Sequence, residues 1–239
     1  MMLPWFHGSR KKSVRRALAF SLFAFLCLGR SLPAADTASA PRETNPAAEA
    51  AYTQTLEKRV ADILAVLGLQ DPAKCAKIHD CLVAQYRGLR DWHDAHDAAR
   101  RTALPQQASQ IDASLKQLHD QFLAHLAAEL PPEQIERIKD KMTYNKVKVT
   151  YDAYCEIIPG LSEPEKQRIL QLLKEAREEG MDGGSSKEKD AIFKKYKGKI
   201  NNYLSSQGHD VNQAYKDWGA KQKAKTGQSN QPAPKPRPD

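Results

Sequence analysis

The sequence predicts an all-α protein, a helical bundle in which a long antiparallel helical hairpin is followed by shorter helices. Three observations predict it. Between Asn45 and Ala220 apolar residues recur at helical spacing, and no convincing alternating strand interrupts them. Helix start and stop signals punctuate that stretch. Two long periodic segments are joined by a short break, which favours antiparallel neighbours.

The first helix carries Tyr52, Leu56, Val60, Ile63, Leu64 and Leu67 on one face and stops at Gly68. Asp71-Pro72 supplies an N-cap followed by a first-turn proline. It opens a long helix striped by Cys75, Ile78, Leu82, Tyr86 and Leu89. After a break placed from Thr102 to Ser109, the residues Ile111, Leu115, Leu118, Phe122 and Leu126 mark its hairpin partner. Pro131-Pro132 starts a helix through Met142. Lys146 to Tyr151 contains a weakly β-like run, Val147-Lys148-Val149-Thr150, and its state is left open. Ser162 with Glu165 forms a capping box for a helix striped by Ile169, Leu170, Leu173 and Ala176 and stopped at Gly180. Ser185 with Glu188 forms another, ahead of Phe193, Tyr196, Ile200, Tyr203 and Leu204, with Gly208 as its stop. Gly198 lies inside that helix at a cost of about 1 kcal/mol relative to alanine, which a close helix crossing would explain. Asp210 caps a last helix bearing Val211, Tyr215 and Trp218.

Charge separates this domain from the chain ends. The 239 residues carry a net +8, of which residues 1–40 hold +5, residues 41–220 hold −1 and residues 221–239 hold +4. A near-neutral folded part excludes a nucleic-acid-binding face as the origin of the basic composition. The first segment, residues 1–40, reads as a signal peptide and adjoining linker: a basic stretch through Arg16, an apolar run from Ala17 to Gly29, and Ala38-Ser39-Ala40 as a cleavage site. The run falls short of the roughly 20 residues that span a bilayer, so no stable membrane anchor is expected after cleavage. Residues 41–220 form a single helical domain. Residues 221–239, rich in Lys, Gln, Ser and Pro, read as a disordered basic tail. The expected location is periplasmic or secreted. There Cys75 and Cys81, six residues apart on one helix, cannot reach each other, so at most one pairs with Cys155.

Seven short strings carry a resemblance: Asp140-Lys-Met-Thr-Tyr144, Thr150-Tyr151, Pro159-Gly-Leu161, Ala176-Arg-Glu178, Met181-Asp182, Gly184-Ser-Ser-Lys-Glu188 and Lys195-Tyr-Lys-Gly-Lys-Ile-Asn-Asn-Tyr-Leu204. Through them the stretch from Tyr52 to Trp218 resembles the secreted bacterial domain-of-unknown-function family 3826. The resemblance implies a helical fold, export and a link to polysaccharide metabolism, and it implies no reaction. A weaker likeness, to periplasmic stress chaperones with Leu-Thr-x-x-Gln repeats, rests on Leu130-Pro-Pro-Glu-Gln134 and Leu161-Ser-Glu-Pro-Glu165, both departing from the pattern: Pro131 replaces Thr in the first and Glu165 replaces Gln in the second.

Two constellations are candidates for chemistry. His93 and His96 share a helix face, and a hairpin turning near Gln106 sets His93 opposite His119. With Asp97 nearby these three imidazoles offer a site for zinc or copper. No cofactor is otherwise expected. The second is aromatic and polar: Tyr144, Tyr151 and Tyr154 with Arg177, Asp182, Lys197, Asn201 and Asn202, suited to a polysaccharide or another polar ligand. Tyr196 and Tyr203 fall on the helix stripe and read as core. No Gly-x-Ser-x-Gly, phosphate-binding glycine loop or Cys-x-x-Cys is present. The expected function is therefore a non-enzymatic binding or accessory factor. The alternatives are a carbohydrate-active enzyme with its site in the second half, and a periplasmic chaperone or metal-stress protein using the hairpin.

Overall fold

The structure, a computed structural model, describes residues 45–229. The expected signal peptide lies outside the described residues, as does the tail beyond Ser229. Eight helices follow in order: α1 Pro46–Leu67, α2 Pro72–Thr102, α3 Pro105–Glu129, α4 Pro132–Met142, α5 Lys146–Ile157, α6 Glu163–Met181, α7 Ser186–Ser206 and α8 Val211–Ser229. Among the described residues there is no strand, and the all-α bundle with its long α2–α3 hairpin is what the sequence predicts.

Local chemistry accounts for the boundaries. Asp71 accepts from the backbone N–H of Ala73 at 2.8 Å, and Gly68 ends α1 at φ 61°, a left-handed conformation that glycine adopts without strain. Ser185 and Glu188 form a reciprocal box, the Glu188 N–H donating to Ser185 Oγ at 3.1 Å and the Ser185 N–H to Glu188 Oε2 at 3.2 Å. Gln213 N–H donates to Asp210 Oδ1 at 2.9 Å at the head of α8.

Two apolar cores result. Leu56, Val60 and Ile63 of α1 pack with Ile78 and Leu82 of α2, Phe122 and Leu126 of α3, and Ile138 and Met142 of α4. Tyr154 and Ile157 of α5 pack with Ile169 and Leu173 of α6, Phe193 and Ile200 of α7, and Val211 at the start of α8. Helix α6 joins them: its body belongs to the second core and its last residue, Met181, to the first. The turn leaving Met181 therefore emerges at the seam between the two halves.

One element left open by the sequence is resolved, and three details differ from the sequence reading. Lys146–Ile157 is helical, because Val147, Thr150, Tyr154 and Ile157 bury one face, and that packing overrides β-branched propensity. Helix α3 begins at Pro105, so the hairpin turns at Ala103-Leu104 rather than near Gln106. Helix α8 continues past Ala220 into the segment read as tail, where Lys, Gln and Ala are good helix formers. Open space surrounds Gly198, and the close crossing is at Gly180 instead, where a Cβ would meet the Phe193 ring at 3.2 Å. Cys75, Cys81 and Cys155 are free thiols. No helix among the described residues is long and apolar enough to cross a membrane.

Candidate functional site: a basic, tyrosine-lined groove at the seam

Two loops meet where the cores join. The first, Thr143-Tyr144-Asn145, links α4 to α5 without a glycine, yet Tyr144 has φ 58° and Asn145 φ 54°. A tyrosine in the left-handed region is costly, about 1–2 kcal/mol, and such strain persists only where its surroundings impose it. Here the Asn145 N–H donates to the carbonyl of Asp140 at 2.7 Å and Thr143, fully buried, anchors the turn through its hydroxyl to the Lys139 carbonyl at 2.9 Å. The result is that Tyr144 is turned outward and left 45% exposed.

The second loop, Asp182-Gly183-Gly184-Ser185, connects α6 to α7. It is pinched from both sides: a Cβ on Gly183 would approach Lys189 Cγ to 3.1 Å, and one on Gly184 would strike the His93 ring at 2.7 Å. Glycine fits this passage between α2 and α7 without displacing the Lys189 or His93 side chain. Lys189, one turn into α7, is buried, and its ammonium donates to the carbonyls of Gly180 at 2.9 Å and Met181 at 3.2 Å at the end of α6. Burial pushes its pKa down to about 8, and the nearby Arg59 guanidinium adds to the effect.

These loops frame a groove made of two adjoining cavities, of about 550 and 460 Å³, that share Arg59, Tyr86, Tyr144 and Lys189. The larger extends toward Asp62 and Asn145, and the smaller toward Tyr52, Arg90 and Ser185. Burial pushes the Tyr86 phenol up to about 12, so it remains a neutral hydrogen-bonding group. At the far wall Tyr52 donates to the Tyr86 carbonyl at 3.2 Å, and the Arg90 guanidinium carbon lies 4.3 Å from the Tyr52 ring centroid. Arg87 and Arg90 share Glu49 at 2.7 and 2.8 Å. Arg59 makes no hydrogen bond or ion pair among the described residues. The groove thus presents an unpaired guanidinium, a buried ammonium and two phenols around one concavity.

Of the eight residues expected to bind a ligand, only Tyr144 lines this groove. Tyr154 is buried, donating to Asn201 Oδ1 at 2.7 Å and to the Lys197 carbonyl at 3.2 Å, and burial raises its pKa. Tyr151 packs half-buried against the same core, and Asn202 lies one residue beyond the core-facing Asn201 on α7. Arg177, with 4% of its side chain exposed, is taken up by Asp140 at 2.7 Å, Glu136 at 2.6 Å and Glu178 at 3.2 Å. Asp182 belongs to a different cluster, which gathers two of the three histidines.

Those histidines do not converge on one point. Trp92 Nε1 donates to Ser114 Oγ at 2.8 Å, which fixes the hairpin register and sets His119 about 9 Å along the axis from the position facing His93. His96 turns back to the Trp92 carbonyl at 2.8 Å and stacks on the Trp92 ring. His119 Nδ1 bonds Asp182 Oδ1 at 2.9 Å, a hydrogen bond that raises its pKa against the effect of burial. His93 Nε2 reaches the Asp182 carbonyl at 2.7 Å, and His93 Nδ1 faces Asp97 Oδ1 at 3.0 Å. Asp182 is therefore a clamp between two histidines.

Arg59, Tyr86 and Lys189 escaped the sequence reading. For Lys189 a signal existed: it falls on the α7 stripe with Phe193, Tyr196, Ile200 and Leu204, where a lysine is out of place. Arg59 is an ordinary exposed helix residue in sequence, and only the packing of α1 beside the two loops distinguishes it. No curated protein matches the chain. The profile of the DUF3826 family, proteins of unknown function, matches residues 53–224, and the chain belongs to that family.

Proposed function

We propose that the protein is an exported binding factor that holds an acidic, sugar-sized ligand in the groove at the seam of its two cores. The observation that carries this reading is the meeting of Arg59, Tyr86, Tyr144 and Lys189 where the two cavities join. Arg59 and Lys189 supply positive charge for a carboxylate or sulfate, Tyr144 an exposed ring for stacking on a sugar face, and Tyr86 a neutral hydroxyl in hydrogen-bonding reach of it. Cavities of this size suit an oligosaccharide of a few rings. A uronate- or sulfate-bearing oligosaccharide combines both chemistries, in keeping with the polysaccharide link implied by the family resemblance. Export rests on the basic and apolar pattern of residues 1–40.

The structure gives the alternatives less to stand on. Arg177, the centre expected for a carbohydrate-active site, has its carboxylates already committed to it and does not line the groove. Of the apolar stripe that a chaperone would need to expose on the hairpin, Ile78, Leu82, Phe122 and Leu126 are buried with α1 and α4, and Leu104 at the tip is the hairpin's exposed large apolar residue among the described residues.

A thermal-shift screen of acidic against neutral oligosaccharides tests the proposal. Acidic members should raise the unfolding temperature in a salt-sensitive manner, and neutral ones of equal length should not. A screen in which neither class stabilises the protein, or both do so equally, would overturn it.

A further inference from the structure

Beside the Gly183-Gly184 turn, His93 and Asp97 of α2 meet Glu188 of α7, and one potential ligand atom from each lies within 4.8 Å of the others. The hydrogen bonding of His93 gives this cluster its meaning. The Asp182 carbonyl can only accept, so the bond at 2.7 Å places the ring proton on Nε2. A neutral ring then directs the lone pair of Nδ1 at Asp97 Oδ1, 3.0 Å away, where two acceptors would face each other. A positive centre belongs between them. A backbone carbonyl that orients an imidazole through its second nitrogen is a usual support for a metal-ligating histidine.

We propose that His93 Nδ1, Asp97 and Glu188 form a binding site for a first-row divalent cation, with zinc as the reference ion. The bite between His93 and Asp97 already suits metal bonds of about 2.0–2.2 Å, since a 3.0 Å separation subtends an angle of about 90° at such an ion. Glu188 supplies the third protein ligand, its carboxylate oxygen lying within 4.8 Å of the other two ligand atoms, and rotation of its side chain closes the remaining distance. Its Oε2 accepts the Ser185 N–H in the capping box, which holds the carboxylate at the site and leaves Oε1 for the ion. A cavity of about 270 Å³ lined by His93, Glu188 and Asp182 gives access from solvent. The Asp182 carboxylate, bonded to His119, fixes the turn that carries the supporting carbonyl. One imidazole with two carboxylates is a borderline-to-hard donor set, which favours zinc or manganese over copper(I). The site differs from a three-histidine arrangement in using neither His96 nor His119 as ligand.

Calorimetric titration of the full chain with Zn²⁺ tests the inference, with His96→Ala and Glu188→Gln as comparison variants. Glutamine also serves at the third position of a capping box, so Glu188→Gln keeps the α7 start intact. The expected result is one site of micromolar affinity or tighter, unchanged in His96→Ala and weakened at least tenfold in Glu188→Gln and in Asp97→Asn. Binding no tighter than millimolar would overturn the proposal. Binding that loses less than tenfold in Glu188→Gln or Asp97→Asn would place the ion elsewhere, on the free thiols for example, and would overturn it equally.

Discussion

Arg177 on α6 and Lys189 on α7 are both buried cations, 3% and 5% exposed, within a few residues of the same inter-helix turn. Their surroundings are opposite. Arg177 is enclosed by three carboxylates, two of them 2.6 and 2.7 Å away, so its charge is spent inside the fold. Lys189 donates to neutral carbonyls only, keeps a lowered pKa, and shares its cavity with an unpaired arginine. A buried charge compensated by adjacent carboxylates fixes geometry, whereas one left short of countercharge beside a cavity is available to a ligand. This is why the arginine that sequence reasoning favoured is structural, and the lysine it passed over belongs to the candidate site.

The sharpest way to break the comparison is Arg177→Met. Removing the cation leaves Glu136, Asp140 and Glu178 facing one another. Because those carboxylates are partly solvated, the expected loss is about 2–4 kcal/mol rather than the full cost of an orphaned buried charge. Urea denaturation measures it, and a neutral result would remove the structural role assigned to the cluster.

Next in size is a pH effect on Lys189. Its folded pKa of about 8 lies below the ordinary 10.5, so the unfolded chain binds more protons in between. Stability contributed by this group should rise as pH climbs from about 8 to 10.5, by an amount on the order of 3 kcal/mol at most. Over the same range an anionic ligand should bind more weakly as the ammonium is lost. Denaturation at pH 7.5 and 10 in the wild type and in Lys189→Met checks this, since the variant should lack the rise.

The glycines give a smaller contrast. Gly184→Ala places a Cβ against the His93 ring and should destabilise by about 1–3 kcal/mol, while Gly198→Ala, in open helix surface, should stabilise by about 0.5–1 kcal/mol. Thermal unfolding of the two variants should move in opposite directions. The same sign for both would contradict the packing described around the Gly183-Gly184 turn.

The fold was legible because caps and stripes are local. Asp71, Ser185 with Glu188, Asp210, Gly68 and Gly208 act through neighbours within four residues, and each stands at a helix boundary in the structure. The elements left open or misplaced depend on distant partners. Val147 and Thr150 become helical because of the core they enter, and the two-residue turn at Ala103-Leu104 offers no glycine to announce it. The site was less legible than the fold for the same reason. Arg59 and Tyr144 are 85 positions apart in sequence, and although Asn145 is a residue type that tolerates the left-handed region, Tyr144 gives no sign in sequence that its backbone is left-handed. His93 and Asp97 could be seen as helix neighbours, but Glu188 reaches them only through the fold.

Arg59→Ala bears most directly on the central claim, because Arg59 is exposed, unpaired among the described residues and of no expected weight for folding. Calorimetric titration of the wild type and this variant with the best acidic oligosaccharide should show at least a tenfold loss of affinity, with the unfolding free energy of the free protein unchanged within about 0.5 kcal/mol. Equal affinity in the two proteins would contradict the assignment of the groove as the binding site.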